Sequence, residues 1–197
     1  MKTIHLGNST LKDNAHKVKG EFVKIEDESF YCIHDYQEMP DFFISVVSDS
    51  NHFMFISSNG SLTAGRKDRD NALFPYYTDD KIHDYHDVTG SKTIIRVERN
   101  GKIYLWEPFT ENSRRVYGAR RNLYKSIYGN KILFEEINPF LEIKFSYGWY
   151  NSDSFGFVKK SVITNLSEEP VKAEVLDGIR NILPHGIEYV FQNEFSN

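Results

Sequence analysis

From Lys131 to Asn181 apolar and polar residues change places with a regular beat. Leu141, Ile143, Phe145, Tyr147 and Trp149 are separated by Glu142, Lys144, Ser146 and Gly148. A period of two marks a strand with one buried and one wet face. Asn151-Ser152-Asp153-Ser154 breaks the run with short side chains that bond back to their own backbone. A second run, Phe155 to Leu166, ends at Asn165-Leu166-Ser167-Glu168-Glu169-Pro170. A third opens at Val171 and sets Val171, Ala173 and Val175 on one face. Proline suits the start of such a run, where no ladder donor is lost. The three runs predict an antiparallel meander.

The same pattern recurs upstream in shorter pieces. A short strand is expected at Thr3 to Leu6. Val18 to Ile25 and Phe30 to His34 flank the acidic turn Glu26-Asp27-Glu28-Ser29. Phe42 to Val47 and His52 to Ser57 flank Ser48-Asp49-Ser50-Asn51, and Asn59-Gly60 opens another turn. Leu123 to Tyr128 and Ile132 to Ile137 flank Gly129-Asn130. Each pair reads as a hairpin. Ser91 to Trp106 is a further hairpin, and like charges directly opposite each other are unfavourable. A three-residue loop, Arg99-Asn100-Gly101, avoids setting Arg99 against Lys102 and is therefore expected, with Gly101 in the left-handed position. Few stretches read as helix. Many short strands joined by Gly, Asn and Ser turns predict an all-β antiparallel sandwich, with a closed barrel as second choice.

One stretch lacks the pattern. Residues 61 to 90 carry no sustained period and are rich in ionisable groups. Long irregular segments in compact domains are often functional, so the site is expected here. The candidates for carbohydrate or partner binding are Arg66, Asp68, Arg69, Tyr76, Tyr77, His83 and His86. The arginines offer forked guanidinium bonds to a hydroxyl or phosphate, the tyrosines offer stacking surfaces, and the imidazoles lie in the densest polar run, Asp79 to Asp87. The spacing of His83 and His86 matches no established zinc pattern, so no metal is expected.

Composition narrows the classes. Phe, Tyr and Trp reach 15%, which suits pleated surfaces. The net charge of −4 and the absence of a basic stripe argue against a nucleic-acid surface. The N-terminal residues hold no apolar leader, and no stretch has the length of a membrane-spanning helix. A cytoplasmic location without membrane contact is therefore expected. Cys32 is the single cysteine; it falls in a strand-like run and reads as a buried, inert thiol. Glu135 and Glu136 are neighbours in a strand, so they point to opposite faces and do not form one acid/base pair. No nucleophile elbow, Walker loop or dinucleotide fingerprint occurs, so neither a catalytic residue nor a cofactor is assigned.

The order of elements resembles the N-terminal domain of the cellobiose and chitobiose phosphorylase family and related glycoside hydrolases. Ile56-Ser57-Ser58-Asn59-Gly60-Ser61 is similar to that family's strand end, and Arg66-Lys67-Asp68-Arg69-Asp70 to its Arg-Asp-rich loop. Arg99-Asn100-Gly101 with Trp106-Glu107-Pro108 resembles its hairpin. Tyr117-Gly118-Ala119-Arg120-Arg121-Asn122 resembles its Tyr-x-Ala-Arg-His-Gly motif, with Arg121 and Asn122 in place of His and Gly. Ile163-Thr164-Asn165-Leu166-Ser167 resembles its L-x-N-x-S segment. The resemblance spans roughly residues 53 to 176 and adds Arg120 to the candidates. It implies a galactose-mutarotase-like super-sandwich, joined in the family to a helical barrel that carries the catalytic acid and the phosphate site.

Residues 1–197 are accordingly expected to form one β-sandwich domain, the N-terminal part of a larger carbohydrate-active protein. It is expected to be non-catalytic alone and to meet an oligo- or disaccharide, the downstream catalytic domain or a second copy in a homodimer. The alternatives are a stand-alone protein-interaction or glycan-binding module and, third, an enzyme complete in this chain.

Overall fold

The computed structural model describes residues 4–7, 9–11, 18–75, 79–184 and 186–191. β1 (Ile4–Leu6) and β2 (Ser9–Leu11) form a small hairpin. β3 (Lys19–Ile25) and β4 (Glu28–His34) pair tightly about Glu26-Asp27. β5 (Phe43–Val46), β6 (His52–Ser57) and β7 (Leu62–Arg66) form a three-stranded antiparallel sheet. A single helical turn, α1 (Asp79–Ile82), precedes β8 (Gly90–Arg99) and β9 (Lys102–Trp106). Helix α2 (Glu111–Tyr117) follows. β10 (Arg120–Ser126), β11 (Lys131–Asn138), β12 (Ile143–Ser152), β13 (Gly156–Asn165) and β14 (Lys172–Arg180) complete the described elements.

The protein is all-β and antiparallel, with few helices. One sheet has six strands in the order β13-β12-β11-β10-β4-β3, and β14-β8-β9 forms a second three-stranded sheet. Side chains from all three sheets share one core. Ile132, Phe134, Phe145, Tyr147 and Trp149 of the large sheet meet Met54, Ile56 and Leu62 of β6 and β7 and Ile95, Val97 and Trp106 of β8 and β9. Leu141, Ile143, Phe145, Tyr147 and Trp149 are all buried, as their alternation predicts.

Of the expected meander the β12–β13 step holds, while β14 leaves that sheet and pairs with β8 from Lys172↔Glu98 to Arg180↔Gly90. The reason lies in the connection and in the partner. Asn165 accepts from Ser167 N at 3.1 Å and donates to Glu169 O at 2.8 Å, which shapes a wide loop rather than a tight turn. Across the new pairing Lys172 meets Glu98 at 3.0 Å, Arg96 meets Glu174 at 2.5 Å, and Thr93 donates to Asp177 at 2.6 Å.

The β8–β9 hairpin also departs from expectation. Arg99 does pair with Lys102 around a two-residue Asn100-Gly101 turn, with φ of 51° and 69°, the primed geometry that matches strand twist. This register sets Ile95 beside Trp106 and Val97 beside Tyr104. The three-residue alternative would pair them with Ile103 and Leu105, both exposed here. Burial of Trp106 outweighs one exposed like-charge pair, worth a few tenths of a kcal/mol, and Arg99 finds Glu142 and the Leu141 carbonyl.

Residues 61 to 90 are not an irregular surface segment throughout. Residues 61 to 65 are buried, and a strand covered on both faces shows no alternation to read. Ala72, Phe74, Ile82 and Thr89 are buried beyond it. Helix α2 was not foreseen. Its local signals are Thr110, whose Oγ1 accepts from Ser113 N, and Gly118, which closes it at φ 63°. Among the described residues no helix is long and apolar enough to cross a membrane.

Candidate functional site

The β6–β7 turn is the local anchor of the site. Asn59 Nδ2 donates to Asp41 Oδ2 and to the His83 carbonyl, both at 2.9 Å, and Asn59 Oδ1 accepts from Ser61 N at 3.2 Å. Ser61 Oγ donates to the Ile82 carbonyl, and Leu62 N donates to Thr89 Oγ1 at 3.1 Å. The α1 segment is thus stitched to the turn by side chains. Gly60 and Gly90 complete the join. Gly90 has φ 87°, and a Cβ there would collide with the Gly60 carbonyl, so the close approach of the two backbones requires glycine.

A cleft of about 820 Å³ opens beside this join. One wall is Ser58, Asn59, His83, Asp84, His86 and Asp87. A second wall is Glu107 to Asn112 with Arg121, and Ser91 to Thr93, Tyr147, Arg180, Tyr36, Gln37, Met39 and Asp41 complete the lining. Its volume lies within the ordinary range for small-molecule sites.

Two buried charges position the second wall. Glu136 is fully buried and accepts from Trp106 Nε1 at 3.0 Å, Phe109 N at 2.8 Å and Arg121 Nε at 2.7 Å. Arg121 also donates to Glu111 Oε1 at 2.9 Å and to the Thr110 carbonyl at 3.0 Å. The Arg114 hydrogen bond, followed by the Arg121 charge, holds the Glu111 carboxyl below the usual carboxylate range against the effect of its burial. Burial raises the hydroxyl pKa values of Tyr36 and Tyr147, so both remain neutral donors.

Behind the cleft surface Ser91 Oγ and Arg180 Nε are buried and lack hydrogen-bond partners among the described residues. The rest of the Arg180 guanidinium is engaged, donating to the carbonyls of His86 and Thr89 and lying 3.7 Å from Asp87. A buried donor without a partner costs about 1–3 kcal/mol.

Of the six candidate residues that the structure describes, His83 and His86 come together in this cleft. His83 Nδ1 is 2.7 Å from Ser57 Oγ, and Ser57 is fully buried. That contact orients the imidazole; it does not expose a nucleophile. His86 is 3.0 Å from Asp87. Arg66 is exposed at the end of β7, and Asp68 caps a 3-10 turn by accepting from Asp70 N and Asn71 Nδ2. The Arg69 guanidinium lies 4.2 Å over the Tyr189 ring. Arg120 makes a forked pair with Asp35, both bonds at 3.0 Å. Arg66, Asp68, Arg69 and Arg120 therefore do not line the cleft, and Tyr76 and Tyr77 lie outside the described residues. Glu107, Arg121 and Arg180 were missed. Their signal is tertiary: Arg121 is buried against Glu136, and Arg180 is brought to the cleft by the pairing of β14 with β8.

Cys32 is buried, and burial pushes its thiol up to about 11. Glu135 and Glu136 face opposite sides of β11: Glu135 bonds Asn122, Tyr124 and Lys144 while Glu136 turns inward. Among the described residues no group of three or more His, Cys, Asp or Glu is placed to hold a metal ion. No protein-family model matches the chain, and no curated protein matches it either.

Proposed function

We propose that this chain is a carbohydrate-associated β-sandwich domain of a larger sugar-processing enzyme, of the cellobiose and chitobiose phosphorylase kind, and that its cleft binds a saccharide. The observation that carries the reading is the cleft of about 820 Å³ beside Asn59, lined by the carboxylates of Asp84, Asp87, Glu107 and Glu111 and the imidazoles of His83 and His86. A polyol offers donors to those carboxylates and both donors and acceptors to those imidazoles. Glu111, held ionised by its arginines, suits accepting a hydroxyl rather than delivering a proton, which supports binding over bond cleavage. The shared order of motifs around Asn59, Trp106 and Arg120 supports the choice of sugar.

Calorimetric titration with cellobiose, N,N′-diacetylchitobiose and maltose tests this. Asp84→Ala and His86→Ala change exposed cleft residues. Each should weaken the bound disaccharide roughly tenfold, the worth of one hydrogen bond to a charged group. If none of the three sugars binds, or if both variants bind as the parent does, the reading is wrong.

A second reading, an interaction module, is favoured by one separate observation. β13 and β14 are edge strands of their sheets, and Val162, Ile163 and Val175 are exposed along them with Leu176 at 70%. Exposed apolar edges invite pairing with another chain. Light scattering on the parent and on Val162→Lys would show a dimer that the lysine splits; a monomeric parent would dispose of this reading.

A further inference from the structure

The outer face of the six-stranded sheet carries a second depression, of about 530 Å³, on the side away from the shared core. Register places Glu135, Leu133 and Lys131 of β11 beside Ser146, Gly148 and Tyr150 of β12, and Lys160 of β13 beside Gly148. Gly148 decides the shape of the floor. A Cβ there would sit 2.9 Å from Tyr150 Cε2 and 3.1 Å from Leu133 Cγ, so the Tyr150 ring lies back along the sheet in the space that glycine leaves. The result is an aromatic surface inside a groove rather than a side chain standing upright from a strand.

Polar groups of fixed role surround that ring. Glu135 is largely buried, with Asn122 Nδ2 and Tyr124 OH both 2.8 Å from Oε1 and Lys144 Nζ 3.2 Å from Oε2. Its own burial would raise its pKa, but the bonds from Asn122 and Tyr124 and the Lys144 charge bring it below the usual carboxylate value. The Lys144 ammonium has three donors and spends one on Glu135, which leaves donors for a ligand. Lys131 is matched by Glu28. Lys160 lines the groove next to the Tyr150 platform and has no ion pair among the described residues. Lys24 and Glu26, both exposed, also line the groove without an ion pair among the described residues and are opposite in sign, so the lining as a whole carries one net positive charge.

We propose that this groove binds an acidic saccharide, a pyranose carrying one carboxylate or phosphate group. The C–H face of the sugar lies on Tyr150, hydroxyls bond Lys144 and Ser146, and the anionic group meets Lys160. A stacking surface alone accepts any pyranose. The unmatched ammonium beside it selects for charge. The site shares Tyr147 with the lining of the cleft proposed above but none of that cleft's hydrogen-bonding walls, and its occupant does not depend on the other reading.

Titration of the full chain, followed by nuclear magnetic resonance or calorimetry, tests the proposal with glucuronate, glucose 6-phosphate and glucose as probes. At least one acidic sugar should bind about fivefold more tightly than glucose, the upper worth of an exposed ion pair, and added salt should erase the preference. The tighter of the two acids identifies the anionic group. Lys160→Gln, at an exposed position, should bring acidic and neutral sugars to equal affinity, and Tyr150→Ala should weaken all of them. His86→Ala in the other cleft should leave these affinities unchanged, which separates failure here from failure there. Equal binding of glucose and both acids by the parent, no binding of any probe, or a charge preference that survives Lys160→Gln would overturn it.

Discussion

Replacing Glu136 by Gln probes the join between the two layers. The carboxylate is fully buried and receives three donors: the Trp106 indole, the Phe109 backbone and the Arg121 guanidinium. Glutamine keeps one acceptor oxygen and turns two N–H groups toward donors, so at least one of the three loses its partner. Breaking a buried pair costs about 3–5 kcal/mol, chiefly through the charge left behind. Here Arg121 keeps Glu111 at 2.9 Å, a half-exposed carboxylate, and exposed pairs offset only about 0.2–1 kcal/mol. The net expectation is about 3 kcal/mol, a large share of the 5–15 kcal/mol typical of a domain.

In a thermal melt this appears as a fall of roughly 6–12 °C, at about 2–4 °C per kcal/mol for a chain of this size. Near-ultraviolet circular dichroism should change in parallel, because the Trp106 indole bonds the altered group. The decisive measurement is the double-mutant cycle with Arg121→Met. Once the guanidinium is gone, Glu136→Gln should cost only about 1 kcal/mol, a coupling of about 2 kcal/mol. Equal costs in the two backgrounds would refute the claim that charge pairing between the adjacent strands β10 and β11, rather than shape, secures this wall.

Two further outcomes follow from the shifted groups. Asp35, Glu111, Glu135 and Asp177 all sit below the ordinary carboxylate values: Asp35 through its bonds to Arg120, Glu111 through Arg114, and Glu135 and Asp177 through hydrogen bonds and lysines that overcome their burial. Because the folded values are depressed, their stabilisation is present above about pH 4–5 and disappears as the pH falls through them. Urea midpoints should be level from neutral to mildly acidic pH and then drop, less steeply in Asp177→Asn; a midpoint that does not fall in acid would contradict this. Cys32, with its thiol pushed up to about 11 by burial, should resist an aromatic disulfide reagent at mildly alkaline pH until urea unfolds the chain. Prompt labelling of the native protein would show that the site opens locally.

Strands and tight turns were legible because their signals are local. The alternation of Leu141 to Trp149 reports its own buried face, and Asn59-Gly60, Asn100-Gly101 and Gly129-Asn130 each turn where side-chain chemistry allows it. The opposite orientation of Glu135 and Glu136 needed nothing beyond the strand period. Residues 61 to 65 were illegible for the same reason in reverse: a strand covered on both faces leaves no alternation. Polar density singles out His83 and His86, which line the cleft, and equally Arg66, Asp68 and Arg69, which do not; Asp68 bonds its own neighbours and Arg69 lies over Tyr189.

What the chain alone determined is therefore most of the antiparallel strands, the places where their hairpins turn and the all-β class, since these depend on neighbours within a few residues. Only the folded structure decided which strands meet across the layers. It sent β14 to β8 instead of β13, chose the Arg99–Lys102 register so that Trp106 is buried, and turned Glu136 inward to Arg121. The period of two says that a strand has two faces but not which layer it joins. That choice is made by the burial and charge pairing of residues far apart in sequence, and the cleft beside Asn59 and the groove beside Tyr150 are consequences of it.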